Sequence, residues 1–174
     1  VGKDEDARRV IHTAVEAFGG LDILVNNAGV GRFGEVADQP VEDSRKVVET
    51  NLNGTFYCCQ AAIPALRRRG GGWIINVSSL AGTHPFASGA AYCASKAGVN
   101  ALTEALMQEV RYDDIRVSCV APGSVGTGFA GERKEPAPWK LSVTDVSQVV
   151  IDLLRHDPRS LPSRVEIRPS RPRK

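Results

Sequence analysis

The chain has 174 residues, 42% of them apolar and 24% charged, and a net charge of +2. That length suits one domain able to bury roughly 70% of the surface its unfolded chain would expose. So small a net charge gives no reason to expect nucleic acid or an anionic membrane as partner, and no apolar run nears the ~20 residues of a membrane span.

Asp4–Phe18 reads as an amphipathic helix, with Val10, Ile11, Ala14, Val15 and Phe18 as its apolar stripe, stopped by Gly19-Gly20. Residues 21–25 are almost wholly apolar, as a strand buried on both faces would be. Pro40 opens one long helical pattern over 40–69, where Arg67-Arg68-Arg69 suits the negative end of the helix dipole. Gly70-Gly71-Gly72 breaks it before a second buried strand at 73–77. A third helix is predicted over 88–112, a third strand over 115–120, and a fourth helix over 144–155 capped by Thr144 or Asp145. Asp114 follows the third helix, at a turn where Asp accepts the left-handed conformation only at some cost. Arg164–Ile167 is a last short strand.

Strands alternating with helices of ten or more residues imply βαβ crossovers, hence a parallel sheet with helices on its faces. Ligands of such sheets lie beyond the carboxyl ends of the strands. The notable polar and glycine residues collect at that edge: Asn26, Asn27, Ala28 and Gly29 after the first strand, Ser78 and Ser79 after the second, and Pro122 and Gly123 after the third. Tyr92 and Lys96 lie in the first turns of the following helix, one turn apart on one face. An ammonium about 4 Å from a phenol, at an effective dielectric near 20, favours the phenolate by about 4 kcal/mol, or up to roughly three pKa units. That would make an inert tyrosine a usable acid and base near neutrality. His12, His84 and His156 have no second ligand at metal spacing, so no metal is expected. Cys58, Cys59, Cys93 and Cys119 lack a C-x-x-C spacing and read as reduced, partly buried thiols of a cytoplasmic protein.

Asn26-Asn27-Ala28-Gly29, Asn51 in Glu49-Thr50-Asn51, Ser79 in Asn76-Val77-Ser78-Ser79, Tyr92-x-x-x-Lys96 and Pro122-Gly123-x-Val125-x-Thr127 occur in this order. Together they resemble the short-chain dehydrogenase/reductase family over nearly the whole chain. The resemblance implies a doubly wound, Rossmann-like α/β domain that transfers hydride between NAD or NADP and a carbonyl or alcohol. By that resemblance Tyr92 exchanges a proton with the substrate oxygen, Ser79 hydrogen-bonds it, and Lys96 lowers the tyrosine pKa and holds the nicotinamide ribose. Asn51 would position a relay water through its backbone carbonyl. Asn27, Ala28 and Gly29 would pass the adenosine ribose, where Asn26 could instead only tie strands together. Pro122, Gly123, Val125 and Thr127 would flank the nicotinamide. Ser78 is the alternative to Ser79, which the thirteen-residue spacing to Tyr92 favours.

The family's glycine-rich turn should precede all of this. Two literal G-x-G-x-x-G strings occur, at Gly29, Gly31 and Gly34 and at Gly126, Gly128 and Gly131. Neither is expected to lead from a strand directly into a helix, so both read as decoys. The resemblance therefore implies a single domain over 1–174, truncated at its N-terminus by a β-α-β-α-β half and left with an uncovered sheet edge. The rival is a non-catalytic remnant that acts by oligomerisation or partner binding. Helices 40–69 and 88–112 resemble the family's subunit-packing helices, so a homodimer or homotetramer is expected. The tail bearing Arg164, Arg168, Arg171, Arg173 and Lys174 has no interleaved aromatic residues and reads as solvated rather than nucleic-acid binding. The short segment 128–142 suggests an open substrate pocket.

Overall fold

The computed structural model describes residues 1–129 and 137–172. Helix α1 (Asp4–Phe18) sets Asp4, Glu5 and Asp6 at the positive end of its dipole and ends on Gly19 at φ 74°. Strand β1 (Ile23–Asn26) follows, then α2 (Val41–Val48), a π-helical turn over Glu49–Asn53, and α3 (Gly54–Arg69). Next come β2 (Gly72–Val77), α4 (Ala90–Val110) and β3 (Ile115–Pro122). The described chain finishes with α5 (Val143–Leu154) and β4 (Arg164–Ile167).

The four strands form one parallel sheet in the order β1-β2-β3-β4, with Ile75 paired to Val25 on one side and Ser118 on the other. Residues alternate between the two faces of the sheet. Ile74 and Val117 meet Ile11 of α1, Leu66 of α3 and Leu106 of α4, whereas Trp73, Ile75 and Val120 meet Leu153 of α5. Helices therefore cover both faces, as the doubly wound expectation requires. Leu66, Ile74, Ile75 and Val117 are fully buried, each contributing roughly 1.5–3 kcal/mol. Trp73 is buried with them and donates its indole N–H to Ser118 Oγ at 3.0 Å. At the outer edge, Ile23 and Val25 of β1 are 42% and 41% exposed.

Three expectations are corrected. The first strand is not buried on both faces, because β1 lies at the sheet edge with Ile23 and Val25 exposed and Leu24 only half-buried. The rod over 40–69 is continuous but not uniformly α: Gly54 N–H donates to Glu49 C=O, five residues back, and the extra residue places Asn51 inside the fold. The cap of α5 is Ser142 rather than Thr144 or Asp145. Ser142 has extended backbone, its Oγ accepts the Asp145 N–H, and the Asp145 carboxylate accepts the Ser142 N–H at 2.7 Å. Asp114 adopts φ 56°, the left-handed conformation expected of it. No helix among the described residues is long and apolar enough to cross a membrane.

Candidate active site

The carboxyl ends of β1, β2 and β3 bring the predicted residues to one edge, and a buried hydrogen-bond network fixes them there. Asn51, 1% exposed, clasps the turn after β1: its Oδ1 accepts the Val30 N–H at 2.8 Å, and its Nδ2 donates to Val30 C=O and Ser95 Oγ. Its backbone carbonyl, within the π turn, accepts the Thr55 hydroxyl at 2.8 Å. Asn26 donates to Asn76 Oδ1 at 2.8 Å and so ties β1 to β2, while Asn76 donates onward to Thr103 of α4. The tie between strands weighed for Asn26 is thus present.

The two serines after β2 part company. Ser78 is buried, and its hydroxyl donates to Asn100 Oδ1 at 2.6 Å, anchoring the strand end to α4. Ser79 turns the other way, its Oγ accepting the Ala81 N–H, and it lies close enough to the Tyr92 side chain to pull the phenol pKa down. Tyr92, on the first turn of α4, is 9% exposed. One turn on, Lys96 is 5% exposed and its Nζ donates to Val77 C=O at 2.9 Å.

The electrostatics depart from the expectation of a depressed phenol. Burial pushes the Tyr92 hydroxyl above its ordinary value, against the pull of the Ser79 hydrogen bond, with Cys93 adding a small upward push. Burial likewise pulls the Lys96 ammonium down to about 8, Cys119 opposing. Removal from water weakens the charged form of both groups, and the ammonium is directed to the Val77 carbonyl. A neutral phenol beside a serine is a proton donor; taking up a proton again is eased by an amine whose pKa lies within about one unit of neutrality.

Gly29 lies against the amine: a Cβ there would come within 3.7 Å of Lys96 Nζ and 3.3 Å of Asn51 Oδ1. A side chain there would rest against the amine and press on the Asn51 amide, so a bare backbone keeps this approach least crowded. At the end of β3, a Cβ on Gly123 would collide with the Leu80 side chain. Beyond it Val125 pairs with Leu141, and the Thr127 hydroxyl accepts the Phe129 N–H at 3.3 Å. An ammonium with three N–H donors, one of them given to Val77, beside a glycine cradle fits the hydroxyls of a ribose. Asn27 and Ala28 lie in the same turn after β1. Gly29, Gly31 and Gly34 lie in irregular chain that reaches a helix only at Val41, so the first glycine string opens no helix. In the second string, Gly131 lies outside the described residues, as does the 132–136 segment after it. No group of His, Cys, Asp or Glu able to hold a metal occurs among the described residues.

Sequence reasoning missed the aromatic surroundings of Tyr92. Phe33 and Phe129 each place a ring centroid 5.6 Å from that of Tyr92, and Phe86 lies 5.7 Å from Phe33. The available signal was their position: each is a large apolar residue in a loop at the ligand-bearing edge, where turn chemistry does not call for one.

A family model described as short chain dehydrogenase matches residues 1–138. The chain belongs to that family. It is 41% identical over 131 residues to dehydrogenase/reductase SDR family member 4 of Bos taurus, covering 75% of this chain and 47% of that one. Trans-4-hydroxycyclohexanecarboxylate dehydrogenase of Sinomonas cyclohexanicum is 46% identical over 145 residues, covering 83% of this chain and 56% of the relative. The chain thus spans about half the length of these two curated relatives. The fold superposes on an alcohol dehydrogenase of Thermococcus sibiricus complexed with 5-hydroxy-NADP. That match has a TM-score of 0.90 and 25% identity, over 99% of this chain and 74% of the other.

Proposed function

We propose that this edge is the proton-transfer centre of an NAD- or NADP-dependent oxidoreductase acting on a carbonyl or its alcohol. The observation that carries the reading is the buried Tyr92 side chain beside Ser79, with the buried Lys96 ammonium, its pKa pulled down to about 8, one helical turn away. The bound nicotinamide supplies or accepts the hydride at the substrate carbon. Tyr92 gives its hydroxyl proton to the substrate oxygen in reduction and takes it back in oxidation. Ser79 donates a hydrogen bond to the same oxygen, stabilising the charge that develops there. Lys96 holds the ribose hydroxyls beside Gly29 and returns a proton to Tyr92. Asn51 positions the turn through Val30, and the second lone pair of its backbone carbonyl accepts a relay water. Asn26, Asn27, Ala28 and Gly29 border the adenosine side; Pro122, Gly123, Val125 and Thr127 border the nicotinamide.

The nucleotide of the superposed alcohol dehydrogenase and the ring alcohol in the name of the Sinomonas relative both support this reading. Free cysteines throughout suit a cytoplasmic protein. Val41 and Phe56, 64% and 45% exposed on α2 and α3, support a homo-oligomer, although α4 exposes only small apolar residues such as Ala101 and Ala105. The test is a nicotinamide oxidation assay with a panel of ketones and aldehydes, run on the longest natural reading frame containing Val1 to Lys174. Turnover of at least one carbonyl is expected. Absent turnover together with absent nucleotide binding would favour the remnant reading.

A further inference from the structure

Phe33, Phe86 and Phe129 are 43%, 48% and 37% exposed, yet they form a chain of ring contacts around a tyrosine that is 9% exposed. Exposure alone would mean little. Phe18 and Tyr112 are 85% and 92% exposed, but neither has a ring partner among the described residues. The phenylalanines differ because three separate loops deliver them to one point, and each loop is fastened. Gly34 N–H donates to Ser88 C=O at 2.8 Å, tying the Phe33 loop to the turn that carries Phe86. Ser88 holds φ 62° there, and Gly89 is packed so closely that a Cβ would lie 2.5 Å from the Phe86 ring. Phe129 is held through its N–H by the hydroxyl of Thr127.

Phe33 meets Tyr92 at an interplanar angle of 87°, and Phe86 meets Phe33 at 62°. Edge-on contacts of this kind leave ring faces free. The rings of Phe33 and Phe129 lie against the ring that bears the proton-donating hydroxyl, Phe86 lies behind Phe33, and none of the three carries a hydroxyl or charge. A polar substituent seated there would lose water without gaining a partner from the three rings, whereas a flat apolar ring would displace water from both surfaces.

We infer that Phe33, Phe86 and Phe129 form the specificity wall of the site and select carbonyl compounds bearing an aryl or cycloaliphatic ring next to the reacting carbon. This rests on the proton-transfer reading of Tyr92. In reduction the carbonyl carbon gains hydride from the nicotinamide, which is oxidised, and the oxygen gains the Tyr92 proton; the ring stays unchanged against the wall.

The experiment compares kcat/KM for acetophenone and dihydroxyacetone in wild type, Phe33→Ala and Phe129→Ala, on the longest natural reading frame containing this chain. Ligand-observed NMR of acetophenone with the same proteins follows ring contact independently of turnover. The expected result is a preference for acetophenone of about tenfold or more, shrinking toward parity in both variants, with weaker NMR contact. Turnover of both ketones without preference overturns the wall and leaves the oxidoreductase reading standing. If neither ketone is turned over, contact that weakens in Phe33→Ala still supports the wall and counts against the reaction. Equal or absent contact overturns the wall. Phe33→Leu, which keeps apolar volume but removes the flat ring, is expected to fall between wild type and Phe33→Ala; wild-type preference in it would contradict selection by ring faces.

Discussion

The floor and the rim of the site are built on opposite plans. In the floor, Asn51, Asn76, Ser78, Ser95 and Thr103 are buried polar side chains whose partners lie on other elements or in the helix backbone. In the rim, half-exposed Phe86 meets Phe33 edge-on, Phe33 and Phe129 each meet Tyr92, and a few loop hydrogen bonds hold them. A buried polar group without its partner costs about 1–3 kcal/mol, so a floor network is strongly specified. Apolar rings on loops tolerate exchange far better. The floor fixes where a proton can go, and the rim is free to decide which molecule receives it.

Substitutions can break this contrast. Apart from Tyr92 itself, the largest effect expected is for Ser79→Ala, which removes one donor from the substrate oxygen. Turnover should fall about 10²–10³-fold with little loss of thermal stability. A large loss of stability with normal specific activity would move Ser79 from the chemistry to the floor.

Next comes Lys96. Its amine titrates at about 8 against an ordinary 10.5, so between those values the unfolded chain keeps a proton that the folded chain has released. Stability from this group must therefore rise with pH across that window, by on the order of 3 kcal/mol in full. Urea unfolding of wild type and Lys96→Met should show their difference drifting in favour of wild type from about pH 8 to about pH 10.5. A constant difference would contradict the burial argument.

Asn51→Ala should cost about 2 kcal/mol by stripping partners from Val30 and Ser95, which chemical denaturation would measure. An unchanged midpoint would mean that the turn after β1 holds itself. The smallest effect belongs to the exposed pair Arg8–Asp4, 2.9 Å apart on α1, where Arg8→Ala should cost below about 0.5 kcal/mol by the same method.

The sequence already carried most of the frame. Asp4–Phe18 and Arg164–Ile167 are legible residue for residue because one has an apolar stripe ended by glycine and the other a short alternating run. The convergence of Asn26, Ser79, Tyr92 and Pro122 on one edge follows from parallel strands alone. The π turn at Glu49–Asn53 was hidden because one extra residue barely disturbs the apolar period of a long helix. The cap at Ser142 was hidden because Ser142, Thr144 and Asp145 are all capping types, and only the extended backbone of Ser142 decides among them. The direction of the Tyr92 shift needed the burial of both groups, since spacing gives proximity along a helix but not desolvation. The aromatic rim was hidden because its members lie far apart in sequence and meet only through loop packing.

The most direct test of the central claim is Tyr92→Phe, in the longest natural reading frame containing this chain, with kcat and nucleotide affinity measured side by side. The ring and its contacts with Phe33 and Phe129 remain, and only the hydroxyl is lost. The account predicts that kcat falls about 10²–10⁴-fold while nucleotide affinity is unchanged. Turnover that survives the substitution would mean that the proton comes from elsewhere.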